Sequence, residues 1–172
     1  MNDQDRLADC LHNVRTAIRY HMRRQDFFDR WHRSTSVLTL FLGSAAVVTI
    51  LSSMNNLSLI GAALIALLQA IDLIFETRKS ADLYSNLRSK YLKLEPSLSA
   101  LYGLTPKDYK KYKEKIAKIE MDEPPIRRAV LAISQNEAAE VSGYSRKDNP
   151  DSFTTLKWYH KVAPHFWLWN PD

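Results

Sequence analysis

STSVLTLFLGSAAVVTILSSMNNLSLIGAALIALLQAI, residues 34–71, contains no Asp, Glu, Lys or Arg, and it decides the fold. A bilayer core about 30 Å thick is crossed by about 20 helical residues, so this stretch is long enough for two passes. The turn-prone residues 54–56 divide it into apolar runs at about 35–53 and 57–75. The pattern predicts a transmembrane helical hairpin. The alternative is a buried hairpin in a soluble protein, which would need more covering surface than the remaining polar helices offer.

The composition of the whole chain is compatible with one folded domain of modest size. The 172 residues include 24 Lys and Arg against 19 Asp and Glu, and 45% are hydrophobic. These fractions exclude a wholly disordered, collagen-like or disulfide-stapled chain. The net charge of +5 is too small to indicate nucleic-acid binding, so no nucleic-acid partner is predicted. The single cysteine, Cys10, is predicted to be a small core residue in a reducing compartment.

Basic residues flank the hairpin on both sides and are absent from its turn. The first thirty residues are crowded with charge, so they do not form a cleaved signal peptide, and the hairpin is predicted to be retained. Positive charge favours the cytoplasmic side, which predicts that both termini face the cytoplasm. The flanking residues are Arg15, Arg19, Arg23, Arg24, Arg30 and Arg33 before the hairpin, and Arg78, Lys79, Arg88, Lys90 and Lys93 after it.

The remaining segments predict an all-α membrane protein with long cytoplasmic helical extensions. Residues 1–33 form an amphipathic first helix, because apolar positions recur at alternating spacings of four and three. The hairpin occupies 34–76, and residues 77–142 form cytoplasmic helices. Residues 143–172 are a loop and an aromatic C-terminal tail. The positions that recur on the uncharged face of the first helix are Leu7, Leu11, Val14, Ile18, His21, Gln25 and Phe28.

Helix boundaries after the hairpin follow from prolines, caps and a glycine. The second membrane helix is predicted to continue through Tyr91 as far as Pro96. Thr105 precedes Pro106 and starts a shorter helix. A further helix at 126–141 is predicted to bury Ile126, Val130, Ile133 and Val141 and to end at Gly143.

The tail after residue 152 is rich in aromatic side chains. Three of the four Trp lie there, at Trp158, Trp167 and Trp169. Such residues gather at membrane interfaces and at protein interfaces, and they also pack on neighbouring helices. The sequence leaves these three alternatives open.

No motif for catalysis, metal binding or cofactor binding is recognisable. Gly43, Gly61, Gly103 and Gly143 are scattered, so no glycine-rich phosphate loop is present. The histidines lack a partner at metal-ligand spacing, and one cysteine cannot form a thiolate zinc cluster. We therefore predict no cofactor, no metal site and no catalytic residue, and enzymatic activity is the weakest hypothesis.

Small residues repeat along the second apolar run. Ala62, Ala66 and Ala70 stand four residues apart, and small side chains allow membrane helices to approach closely. We predict a helix-contact face there, with Gly43 and its neighbours as a matching patch on the first apolar run.

Polar residues continue the second run towards its cytoplasmic end. Gln69, Asp72 and Glu76 follow one another at spacings of three and four. Ionisable residues in membrane helices usually face a bundle interior or water, so we predict a pore-lining or gating stripe that becomes a ring in a homo-oligomer. Alternatively, Asp72 and Glu76 lie at the interface and pair with basic residues such as Lys79.

Residues 107–118 contain six lysines interleaved with two tyrosines. Lys110, Lys111 and Lys113 form a candidate contact for anions or anionic lipid. The alternative is the solvated face of an amphipathic helix, since acidic residues are interspersed.

The arrangement as a whole resembles the SLATT family of two-transmembrane effector domains over about residues 10–100. The residues that carry the resemblance are Arg19, Tyr20, Arg24, Phe27 and Phe28, the patch 43–46, and Leu83, Tyr84, Leu87 and Tyr91. The resemblance implies membership of bacterial conflict systems built around nucleotide second messengers, in which the effector breaches the inner membrane. It further implies a nucleotide second messenger, or the protein that senses it, as partner.

The residues and the resemblance together favour a membrane effector that oligomerises, permeabilises the bacterial inner membrane and acts in antiviral defence by abortive infection. The alternative is a non-conducting membrane anchor or adaptor that recruits a cytoplasmic partner. A polar stripe distinguishes the two, because ion conduction needs wettable groups and passive anchoring does not.

Overall fold

The computed structural model of the protein describes residues 1–44, 55–156 and 165, without the side chains of 55–58 and 75. These residues contain helices and no strand, which confirms the predicted all-α class for them. The helices are α1 (Asp3–Leu42), α2 (Asn55–Phe75), α3 (Thr77–Ser99), α4 (Pro106–Glu120), α5 (Arg128–Val141) and a 3-10 helix (Pro150–Ser152).

The chain divides into two compact units. Residues 1–24 and 84–172 form the first, here called the bundle unit, and residues 25–83 form the second, here called the hairpin unit. The boundaries between them fall within α1 and within α3. The predicted hairpin, 34–76, lies inside the hairpin unit.

Helix α1 begins at a reciprocal cap. The Asn2 side chain accepts from the Asp5 backbone N–H at 2.7 Å, and the Asp5 carboxylate accepts from the Asn2 backbone N–H at 2.8 Å. The predicted amphipathic pattern is confirmed, because Leu7, Val14 and His21 of this helix are buried at a spacing of seven residues.

An apolar cluster from α1, α3, α4 and the loop before α4 lies in the core of the bundle unit. Cys10 is fully buried in it, which confirms its predicted place as a small core residue. The loop after α3 closes over the start of α1 through a hydrogen bond from the Leu104 backbone N–H to the Asp3 carbonyl, 2.9 Å long. The buried members are Leu7, Cys10, Val14, Tyr91, Leu98, Leu104 and Ile116.

Local signals fix the ends of α4 and α5. The Thr105 hydroxyl accepts from the Asp108 backbone N–H at 3.2 Å, and Pro106 opens α4, as predicted. Gly143 has φ +90°, a left-handed conformation that suits glycine, and it follows α5 as predicted. The predicted buried face of α5 is wrong at its ends, since Ile126 precedes the helix and is 48% exposed, and Val141 is 68% exposed.

Small residues account for the burial of α5 instead. Five alanines and serines are buried on it, and such short side chains let a helix be covered on several sides by its neighbours. Hydrophobic periodicity does not predict this buried surface of α5, because alanine is only weakly hydrophobic and contributes little to the pattern. The buried small residues are Ala129, Ala132, Ser134, Ala138 and Ala139.

The predicted extension of the second apolar helix towards Pro96 is present, with one break. Helix α2 ends at Phe75, and α3 begins at Thr77 and runs through Pro96 to Ser99. Glu76, between them, has φ +41°. The Asp72 carboxylate accepts a hydrogen bond from the Thr77 hydroxyl, five residues on, which stabilises the break.

The structure describes only part of the predicted apolar hairpin. Helix α2 confirms the predicted helix at about 57–75 and starts two residues earlier, so Asn55 and Asn56 belong to its first turn rather than to a separate turn. Residues 45–53 of the predicted first membrane helix, and Met54 of the predicted turn, lie outside the described residues. Within the described part, one helical stretch, Leu59–Ser99, contains a window long and apolar enough to cross a membrane by length and composition, with a mean hydropathy of 2.0.

Candidate functional site

The polar residues of α2 meet partners inside the hairpin unit. Asp72 Oδ2 lies 3.4 Å from His32 Nδ1 of α1, which is ion-pair distance. Three residues earlier, the Gln69 side-chain amide donates to the Thr39 hydroxyl of α1 at 3.1 Å. These two contacts join α1 and α2 side by side through polar groups.

The third member of the predicted stripe, Glu76, stands apart from the other two. It lies in the break after α2, and its carboxylate pairs with the Lys79 ammonium at 2.7 Å. Its pairing with Lys79 is one of the alternatives that the sequence left open. The structure therefore brings Gln69 and Asp72 together along α2 and leaves Glu76 at the helix end.

The predicted helix-contact face is exposed in the isolated chain. Ala62, Ala66 and Ala70 are all exposed, and Gly43 is exposed at the end of α1. The α2 residues with less exposure lie on another side, at Gly61, Ile65, Leu68 and Asp72. The small-residue face is thus available for contact with a helix of another molecule, and its role as a helix-contact face stays a prediction.

Large apolar side chains are exposed throughout the described hairpin. Globular surfaces rarely carry contiguous apolar patches of this extent, and those that do usually meet lipid or protein. The exposed residues are Val37, Leu38, Leu40 and Phe41 of α1, and Leu59, Ile60, Leu64, Leu67, Leu73 and Ile74 of α2.

A second polar group, which the sequence did not reveal, lies inside the bundle unit. The His21 ring is 1% exposed and stacks on Tyr91, with ring centroids 5.5 Å apart. Glu123 Oε1 is 3.0 Å from His21 Nε2 and accepts a 2.6 Å hydrogen bond from the Tyr91 hydroxyl. A carboxylate only accepts, so the proton of this contact belongs to His21 Nε2. The three residues are here called the His21 cluster.

Two opposing effects act on the Glu123 carboxyl. Burial raises its pKa, but the hydrogen bonds from His21 and Tyr91 outweigh burial, and the net pKa lies below the ordinary value. Burial raises the pKa of Tyr91, and its hydrogen bond to Glu123 raises it further. Tyr91 therefore stays a hydrogen-bond donor at neutral pH, and Glu123 stays ionised.

A cavity of about 260 Å³ adjoins the His21 cluster within the bundle unit. Residues of α1, Tyr91, the segment after α4, and α5 line it. Two lining residues carry buried polar atoms without a hydrogen-bond partner in the described part of the chain, namely Thr16 Oγ1 and His21 Nδ1. Leaving such an atom unpaired costs about 1–3 kcal/mol, which makes the cavity a candidate ligand site.

The three lysines of α4 predicted to contact anions or lipid are in two different environments. Lys110 and Lys111 are exposed, whereas Lys113 forms a 3.0 Å ion pair with Asp9 of α1. Burial raises the pKa of Asp9, but hydrogen bonds from Lys113 and Tyr109 outweigh it and the net pKa is lowered. Lys113 thus serves packing between α1 and α4, while Lys110 and Lys111 stay candidates for anion or lipid contact.

One side-chain clamp holds the start of the tail on α5. Asn136 is buried and exchanges two hydrogen bonds with the backbone of Thr154, both 2.8 Å long. The sequence carries no signal for this clamp, because Asn136 stands between Gln135 and Glu137. Of the predicted aromatic tail, residues 157–164 and 166–172 lie outside the described residues.

Comparisons with known proteins supply no relative. No protein-family model, no curated protein and no solved structure matches the chain.

Proposed function

We propose that the protein is a two-pass membrane effector that oligomerises in the bacterial inner membrane and permeabilises it. The observation that carries the proposal is the surface of the hairpin unit, where exposed apolar side chains cover α2 and two polar residues, Gln69 and Asp72, interrupt them. Lipid accommodates such an apolar surface and water does not. Polar side chains on a membrane-spanning helix usually face a water path or the interior of a helix bundle.

The contacts of Gln69 and Asp72 describe a closed arrangement in this proposal. Gln69 donates to Thr39 of α1, and Asp72 lies 3.4 Å from His32 of α1. Opening exchanges these partners for water, so that Gln69 and Asp72 line the path while Glu76 stands at its cytoplasmic mouth. Two helices have too little perimeter to enclose water, and several copies are therefore required.

The exposed small residues support assembly. Ala62, Ala66 and Ala70 permit close approach of a helix from a second copy, where packing rather than the hydrophobic effect drives association. The resemblance to the SLATT family supports a role in antiviral defence, with a nucleotide second messenger or its sensor protein as the trigger. The exposed Lys110 and Lys111 suit an anionic partner of that kind or anionic lipid.

A specific observation also favours the second candidate, a non-conducting anchor or adaptor. Every member of the predicted polar stripe has a partner within its own chain, as a passive anchor requires. The two candidates differ in whether breaking these contacts opens a leak.

Membrane topology gives a direct prediction. In a Cys10→Ala background, we expect a membrane-impermeant maleimide added to intact cells to label Asn56→Cys and to spare Ser145→Cys. Positive charge on both flanks of the hairpin keeps both termini inside. Permeabilised cells supply the control, since both cysteines should then react. Labelling of Ser145→Cys alone in intact cells would contradict the proposed orientation.

Dye release from liposomes that contain the purified protein tests permeabilisation. Thr39→Val removes the partner of Gln69, and because one neutral hydrogen bond contributes about 1 kcal/mol, we expect leakage to rise about five-fold. Gln69→Leu and Asp72→Ala should suppress the leakage of the Thr39→Val protein, because the path loses its wettable groups.

Ser36→Val is the matched control, since Ser36 is exposed on the same helix and lies three residues before Thr39. It should leave leakage unchanged. Tight liposomes with the wild type and with Thr39→Val would contradict permeabilisation and favour the anchor.

A further inference from the structure

Polar and apolar residues both line the cavity beside the His21 cluster. Glu120, Glu123 and His21 contribute polar groups, and Ile126 and Leu131 contribute apolar surface. Its volume, about 260 Å³, lies just below that of pockets for drug-sized molecules, which suits a compact ligand. All the residues that line it belong to the bundle unit.

The lining carries two carboxylates. Glu120 and Glu123 border the cavity together with His12 and His21, and among the described residues no lysine or arginine lines it. An anionic ligand such as a phosphate or carboxylate would meet two carboxylates there and no lysine or arginine to offset them. A cationic ligand would meet complementary charge.

The hydrogen-bonding groups of the lining also favour a ligand that donates hydrogen bonds. Glu123 receives both of its contacts on Oε1, so Oε2 keeps its capacity to accept. His21 donates from Nε2, and its Nδ1 is buried without a partner in the described part of the chain. A ligand with several N–H groups complements the two carboxylates, and charge-assisted bonds to carboxylates are the stronger kind.

We propose that this cavity binds a small, flat organic cation of the amidine or amine class. Its charged nitrogens lie at Glu120 and Glu123, and its apolar body packs against Ile126, Leu131 and the ring of Tyr20. This inference is independent of the proposed permeabilisation, because the site and the hairpin belong to different units of the chain.

Calorimetric titration of the purified full-length protein with benzamidine tests the site. Benzamide is the matched probe, since it has the same shape and lacks the charge. We expect benzamidine to bind at least about ten-fold more tightly than benzamide, and Glu120→Gln and Glu123→Gln each to weaken benzamidine binding about ten-fold. Glu114→Gln, an exposed carboxylate of α4 away from the cavity, should leave binding unchanged.

Glu120 is exposed, so its replacement keeps the test valid even if Glu123→Gln disturbs folding. Circular dichroism of each variant establishes that its helices are retained. Failure of benzamidine to bind at millimolar concentration would overturn the proposal. Equal binding of benzamidine and benzamide, or full affinity in the Glu120→Gln variant, would overturn it as well.

Discussion

Leu98→Ala is expected to lower the free energy of unfolding of the bundle unit by about 3 kcal/mol. Leu98 is completely buried near the end of α3, within the cluster that joins α1, α3 and α4. Truncation removes the transfer free energy of the leucine side chain and leaves a cavity that close-packed neighbours fill only in part.

Hydrogen exchange of the purified protein, followed by mass spectrometry, measures the effect. Amides of α4 should exchange about 100-fold faster in Leu98→Ala if exchange reports unfolding of the unit. Leu92→Ala is the control on the same helix, since Leu92 is 41% exposed and its truncation should change exchange little. Equal effects of the two substitutions would contradict the core assignment.

Glu123→Ala is expected to destabilise the bundle unit by a similar amount, about 3 kcal/mol, because it leaves two buried donors without an acceptor. His21 Nε2 and the Tyr91 hydroxyl both rely on this carboxylate. Tyr91→Phe removes only one of the two hydrogen bonds and should cost about 1 kcal/mol. The same exchange measurement reports both variants.

The stability that Glu123 contributes should also depend on pH. Its folded pKa lies below the ordinary value of 4.5, so folding favours the ionised carboxylate. This contribution is fully present above pH 4.5 and is lost as the pH falls through the folded pKa. Glu123→Ala should therefore show a weaker loss of stability below pH 4.5 than the wild type. An unchanged acid profile would show that the His21 cluster does not hold the carboxylate ionised.

Local chemistry made several elements predictable. The periodicity of α1, the Thr105 cap of α4, and Gly143 after α5 each act over a few residues, and each is where the sequence indicated. The uncharged residues 34–71 likewise predicted the helix now seen as α2. Such signals can be read from the sequence, because helix hydrogen bonds and caps join residues within about four positions.

Other features were decided by packing between distant residues. His21 and Glu123 are 102 positions apart, and Asn136 and Thr154 are 18 apart, so no local pattern pairs them. The cavity was invisible for the same reason, since its walls come from four separate segments.

The sequence by itself therefore determined the helical class of the described residues, the position of α2 and the helix ends marked by Thr105 and Gly143, because these depend on periodicity and caps. Tertiary structure alone decided which polar side chains meet: Gln69 with Thr39, Asp72 with His32, and His21 with Glu123. The physical reason is that a hydrogen bond or ion pair forms only between groups brought within a few ångströms, and the folding of the chain, not its order, sets that distance.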